Sequence, residues 1–178
     1  MREQVLRFWF EEIQPAQWWN KDATFDALIA TRFSSLHASA ARCELYAWRG
    51  NAQGRLAEII VLDQFSRNIY RDQAASFAND PFALAMAQEA ITAGADRVLL
   101  SAENNFLYMP FMHSESLAIH EVALRLFENN GLKSNLDFEL RHKRIIEQFG
   151  RYPHRNAILG RVSTAEEIAF LKLPGSGF

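Results

Sequence analysis

With one cysteine, Cys43, the chain has no internal disulfide, and nothing in it points to an oxidising compartment. It also lacks a long apolar run: nothing approaches the roughly 18 residues that a membrane helix needs. Charge of one sign is missing too, with 19 basic residues against 21 acidic ones. That balance supplies no basic stripe for nucleic acid or an anionic membrane. The one compact basic cluster, Arg141-His142-Lys143-Arg144, reads as a solvated helix face. There is no glycine-rich phosphate loop, no cysteine pair, no nucleophile elbow and no serine with an evident base. The apolar opening at residues 5–10 is interrupted by Arg7 and closed by Glu11-Glu12, too short for a signal-peptide core and without a small-residue cleavage site. These absences predict a cytoplasmic protein with no cofactor, no nucleic-acid partner and no membrane partner. Nothing in them specifies an oligomeric state.

What is present is a core and helical periodicity. Apolar residues make up 49% of 178 residues, with 14 Phe and 4 Trp, which suits one domain over residues 1–178. Residues 3–11 read as a short amphipathic helix. Asp22 or Thr24 caps a long helix carrying Phe25, Leu28, Ile29, Phe33 and Leu36, running toward Tyr46 or Trp48. Residues 54–69 form a third helix, wholly apolar from Ile59 to Leu62 and therefore central. Asn79-Asp80-Pro81 starts another, which stops at Gly94. Ser101 opens a short helix that Pro110 ends or kinks. Leu117, Leu124, Leu126 and Phe127 mark a helix that stops at Gly131. Ser134-Asn135-Leu136-Asp137 and Ser163-Thr164-Ala165-Glu166 read as capping boxes, the first for a helix ending at Gly150. No strand pattern competes, and short connectors predict one all-α domain of packed antiparallel helical hairpins.

The sequence uses one phrase twice. Asp63-Gln64-Phe65-Ser66-Arg67 continues to Arg71, and Glu147-Gln148-Phe149-Gly150-Arg151 continues to Arg155. Both read acid-Gln-Phe-x-Arg-x-x-x-Arg, and both follow apolar runs. On a helix the acid pairs with the arginine four residues on, Asp63 with Arg67 and Glu147 with Arg151. Arg71 would stack one turn beyond Arg67 if the helix persists, whereas Gly150 and Pro153 turn Arg155 elsewhere. Two readings follow. Either Arg67, Arg71, Arg151 and Arg155 converge on a carboxylate or phosphate, or Asp63 and Glu147 already fill those forks while Asn68 and Asn156 bond loop backbone.

His113-Ser114-Glu115 and His120 form a second group. His113 and His120 are seven residues apart with Leu117 between them, which is poor spacing for a metal, so none is expected. His113, Glu115 and His154 are the candidates for proton transfer. The alternative is that the His113 ring packs under Pro110 and bonds a backbone carbonyl. His37 and His142 read as helix-surface residues. Trp9, Trp18 and Trp19, with Phe8 and Phe10, are either core and staple for the N-terminal helix or an aromatic wall for a ligand or a partner peptide.

Long phrases carry a family resemblance: Val5-Leu6-Arg7-Phe8-Trp9-Phe10, Trp18-Trp19-Asn20-Lys21-Asp22, Leu62-Asp63-Gln64-Phe65-Ser66-Arg67-Asn68-Ile69-Tyr70-Arg71, Phe106-Leu107-Tyr108-Met109-Pro110-Phe111-Met112-His113-Ser114-Glu115 and Phe149-Gly150-Arg151-Tyr152-Pro153-His154-Arg155-Asn156. Across almost the whole chain the sequence resembles the bacterial domain-of-unknown-function 924 family, departing at Ser66, where that pattern expects proline. The resemblance implies a tetratricopeptide-like all-α fold and brings no activity, cofactor or catalytic residue. Three functions remain open. The first is a binding module for an anionic small molecule or peptide, with Arg67, Arg71, Arg151, Arg155, Asp63, Asn68 and Trp19 at the site. The second is a metal-independent hydrolase or transferase in which arginines anchor the substrate, His113 or His154 moves protons, and Glu115 or Asp63 orients the histidine. The third is a structural or protein-interaction domain.

Overall fold

The computed structural model describes residues 1–177. Among the described residues there are nine α-helices and no strand. Helix α1 (Arg2–Arg7) runs on through a π-helical turn at Phe8–Glu12. Helix α2 (Ala23–Ala41) starts where Asp22 accepts the backbone N–H groups of Thr24 and Phe25, two donors that a helix leaves without partners. It does not reach Tyr46 or Trp48. Cys43 turns to φ +61°, and the reversal brings Leu45 onto the core.

The central element is α3 (Ala52–Ile60), which passes through a π-helical turn (Val61–Phe65) into α4 (Ser66–Ile69). Every residue from Leu56 to Ser66 is buried. Such a helix has neighbours on all sides, and α1, α2, α5 and α6 pack against the α3–α4 rod. Polar residues inside it, Glu58, Asp63 and Gln64, must then find partners within the protein.

Helix α5 (Asp80–Thr92) carries Pro81 in its first turn, and Gly94 follows it at φ +77°. Pro110 does not end α6 (Ser101–Met112) but lies inside it. Helix α7 (Leu117–Asn130) packs on α6 and on α8 (Lys133–Phe149). The caps differ in register from the sequence reading. Helix α8 begins one residue before Ser134, so Ser134 is not its cap. In α9 (Ala165–Phe170) Thr164 accepts from the Glu167 N–H and Glu167 accepts from the Thr164 N–H, a capping box one residue later than Ser163 and Glu166.

The tryptophans are largely core. The Trp9 ring lies 5.6 Å from Phe65 and 5.5 Å from Phe106, and Trp18 lies 5.0 Å from Phe106. Trp18 Nε1 donates to the Trp9 carbonyl at 2.9 Å, stapling the turn to α1. Trp19 is different, half-exposed and stacked on Phe106 and Phe138.

One close approach gives a test of the packing. A Cβ on Gly54 would lie 1.9 Å from the Trp48 carbonyl oxygen and 2.8 Å from its carbon, both backbone atoms. Alanine is the better helix former by about 1 kcal/mol, yet the clash wins. Gly54→Ala should lower unfolding free energy by about 1–3 kcal/mol in urea titration; an unchanged or raised midpoint would refute the close packing.

Candidate functional site

The four arginines of the repeated phrase go to three places. Arg71 leaves the helix, since α4 ends at Ile69, and closes on Asp26, to which Asn68 Nδ2 also donates at 2.8 Å. Arg151 clasps Glu167 through two hydrogen bonds of 2.7 and 2.8 Å and donates to the Val162 carbonyl. It does not pair with Glu147, because Gly150 takes φ +68° and ends α8 one residue before it; Glu147 pairs with Lys143 instead. Asn156 Nδ2 reaches Ser163 Oγ and Glu167, so neither asparagine serves loop backbone through its side-chain amide. Only Arg67 and Arg155, one from each copy, meet.

Their meeting point is Asp80, the first residue of α5. Arg67 Nη2 lies 3.1 Å from Asp80 Oδ1, and Arg155 Nη1 lies 3.1 Å from Oδ2. The Phe77 ring lies under both guanidiniums, 4.5 Å from Arg155 and 5.9 Å from Arg67. Arg67 also bridges back to Asp63, to the carboxylate at 3.2 Å and to the carbonyl at 2.9 Å. The same Asp63 oxygen lies 2.7 Å from His113 Nδ1, and Gln64 Nε2 donates to the other. Of the two acids that the sequence offers to orient His113, Asp63 holds it and Glu115 does not, and the ring bonds no backbone carbonyl among the described residues. An ionised carboxylate only accepts, so Nδ1 carries the proton and Nε2 presents a lone pair. Nε2 makes no hydrogen bond with any described residue, and the ring keeps 11% exposure.

The backbone that carries His113 is fastened from behind. Three successive carbonyls each receive a side chain: Met112 from Tyr152 Oη at 2.5 Å, His113 from Arg155 Nη2 at 3.0 Å, and Ser114 from His120 Nε2 at 2.9 Å. Glu115 accepts the Tyr152 N–H at 2.7 Å and is clasped by Arg161 at 2.6 and 2.9 Å. His120 Nδ1 lies 2.7 Å from Glu139 Oε1, both fully buried. Since Nε2 donates to a carbonyl, His120 and Glu139 share a single proton in that bond.

The electrostatics follow from burial and these partners. Burial pushes the Asp63 carboxyl up, but Arg67 and His113 more than reverse this and hold it well below the usual carboxylate range. Burial works against the charge on Arg67, and Asp63 and Asp80 outweigh it. For His113 burial wins, helped by Arg67, so its pKa falls and the ring is neutral near pH 7. Arg155 is lowered by burial and by Arg67, and its Nε is buried without an acceptor among the described residues. Glu139 is raised by burial.

Several residues carry more than sequence reading assigned them. His37 and His142 are buried, not surface residues: His37 Nε2 lies 2.7 Å from Ser66 Oγ, and His142 Nδ1 lies 2.8 Å from the Phe138 carbonyl. The basic cluster around His142 is accordingly not a wholly solvated face. His154 lies beside the Tyr152 ring, 5.6 Å between centroids. Asp80, Glu139, Arg161 and Glu167 gave no signal of their own beyond helix starts and lone charges. Among the described residues no three His, Cys, Asp or Glu side chains gather to hold a metal. Two clefts lie away from His113, one of about 240 Å³ against Ile91, Phe111, Val122 and Leu126, the other of about 480 Å³ between α1 and the start of α3.

Two tests bear on the cluster. Arg67→Gln removes a partner of the buried Asp63 and should cost about 3–5 kcal/mol of unfolding free energy; Arg71→Gln, on the more open Asp26 pair, should cost less. Equal losses in urea titration would contradict the network. Acid is the second probe. Burial lowers His142 to about 3 and His154 to about 4, and lowers His37 and His113 as well. The unfolded chain, with histidine near 6.5, then binds more protons as pH falls. The stability these groups contribute is full above about pH 6.5 and is lost below it. Glu139 works in the opposite sense, as one group against four. Between pH 7.5 and 5.5 each histidine held this low should cost about 1.4 kcal/mol, so His142 and His154 should together cost about 2–3 kcal/mol. A flat urea midpoint over that range would overturn the assignment.

The comparisons agree with the fold and stop short of a function. No helix among the described residues is long and apolar enough to cross a membrane. None of the curated proteins compared with the chain matches it. A solved structure of a protein of unknown function from Agrobacterium tumefaciens is 38% identical, with a TM-score of 0.91 and 96% of each chain covered. A family model described as bacterial protein of unknown function (DUF924) matches residues 5–175. The chain therefore belongs to this bacterial family, DUF924.

Proposed function

We propose that His113, with Arg67 and Arg155, forms an acid–base site for a small anionic substrate. The observation that carries this reading is the buried Asp63–His113 pair beside two guanidiniums that share one carboxylate, Asp80. Asp63 orients the ring and fixes its tautomer, which leaves Nε2 as a base. The guanidiniums would stabilise negative charge that develops on a group losing its proton to Nε2. Of the wider set of arginines, Arg71 and Arg151 serve in this reading as braces, each already closed on a carboxylate. The low exposure of His113 and Arg155 favours a small molecule over a peptide. Glu115 and His120 support the corner and do not touch the substrate. Water is the attacking group if the reaction is a hydrolysis, since no serine or cysteine accompanies His113 in these contacts.

The test is thermal unfolding against a panel of small carboxylates and inorganic phosphate. At one hundred times its Kd a ligand adds about 2.7 kcal/mol, or about 5–10 °C in a chain of this size. The expected result is a saturable shift for wild type and for Arg71→Gln, lost in Arg155→Gln and reduced in His113→Asn. If no anion moves the wild-type midpoint, the cluster is scaffold and the reading fails.

A further inference from the structure

Charge balance around His113 says more about what the site accepts. The groups that face it are Asp63 and Arg67 from the α3–α4 rod, Asp80 from α5, and Arg155 from the Pro153–Arg155 turn. Behind the corner stand Glu115 with Arg161, and His120 with Glu139 and Tyr152. His142 and His154 lie against Tyr152, and Lys21, an exposed residue of the turn before α2, acts on His154. Within the cluster two carboxylates, Asp63 and Asp80, meet two guanidiniums, Arg67 and Arg155. Glu115 is matched by Arg161, and Glu139 and His120 hold one proton between them. Among the described residues each of these carboxylates therefore already has its partner, and the one cation near the cluster without a carboxylate, Lys21, is exposed to solvent. An uncompensated anion in such a place is costly.

Of the neutral histidines around the corner, His113 is the one bonded to the Asp63–Arg67 pair itself, and so the one placed to supply the missing charge. Its Nδ1 proton is committed to Asp63, so an added proton must enter at Nε2, the atom without a partner among the described residues. Resting on the site proposed above, we infer that it takes up a weak monoprotic acid as an anion together with one proton, the proton held on His113 Nε2 and donated back to the bound anion. Nothing is oxidised or reduced: A⁻ and H⁺ enter, and an imidazolium–anion hydrogen bond forms between Nε2 and the ligand, strengthened by charge on both sides. A carboxylic acid fits this description, and a dianion, which needs two compensating charges, does not. The low pKa of the free ring means that the ligand, and not the solvent, drives the protonation at neutral pH.

The experiment is acetate binding to wild type and to His113→Asn at pH 7 and 8, followed by thermal shift and by proton uptake in weakly buffered solution. Wild type should take up close to one proton per acetate bound, with affinity falling about tenfold from pH 7 to 8. His113→Asn should bind at least tenfold more weakly at pH 7, and what binding remains should show no proton uptake and no such pH dependence. Sulfate should bind at least tenfold more weakly than acetate. Acetate that binds wild type without proton uptake, or with the same uptake in His113→Asn, overturns this inference and leaves the anion site standing. If neither acetate nor any other small anion binds, the site itself is wrong and the inference falls with it.

Discussion

The structure turns on a carboxylate buried in the middle of its central helix. Asp63 has no access to water, and an ionised carboxyl there is unfavourable unless several donors meet it. Arg67, His113 and Gln64 do so. Each of these partners then imposes a demand of its own. Arg67 needs a second anion for the rest of its guanidinium, which is Asp80, and Asp80 draws in Arg155. Arg155 in turn holds the His113 carbonyl. One buried charge thus ties together α3, α4, α5, the α6–α7 corner and the turn after α8.

This chain of obligations explains why the polar interior is extensive in a protein rich in aromatic residues. Phe8, Trp9, Phe25, Phe33, Phe65 and Phe106 fill one end of the core. Beyond the α6–α7 corner the interior is built from Tyr152, His120, His142 and Glu139. Carbonyls freed where α6 ends need donors, and these side chains supply them. The same arrangement that satisfies the backbone fixes where the His113 ring points. The residues that satisfy the backbone are thus the same ones that set the geometry of the proposed site.

Membership of the family supports the helical fold. It gives no activity, so the functional case rests on the chemistry of His113, Arg67 and Arg155. That case is electrostatic: a neutral base next to two guanidiniums whose charge is already balanced.

Helix content and most stops were legible in the sequence because they depend on local chemistry: helical periodicity, Asp22 as a cap, and Gly94, Gly131 and Gly150 at positive φ after a helix. The pairing of Asp63 with Arg67 was legible for the same reason, being one helical turn long. The pairing of Glu147 with Arg151 looked identical in sequence and does not form, because Gly150 ends the helix between them. Which acid each remaining arginine chooses, Asp26, Asp80 or Glu167, was beyond sequence reasoning, since those partners lie 45, 75 and 16 residues away. The burial of His37 and His142 was hidden for a related reason: a histidine on a helix looks alike from either face until a neighbouring element covers it. Spacing along the chain decides contacts within a turn of helix; only the packing of one helix on another decides which charge is left to answer which.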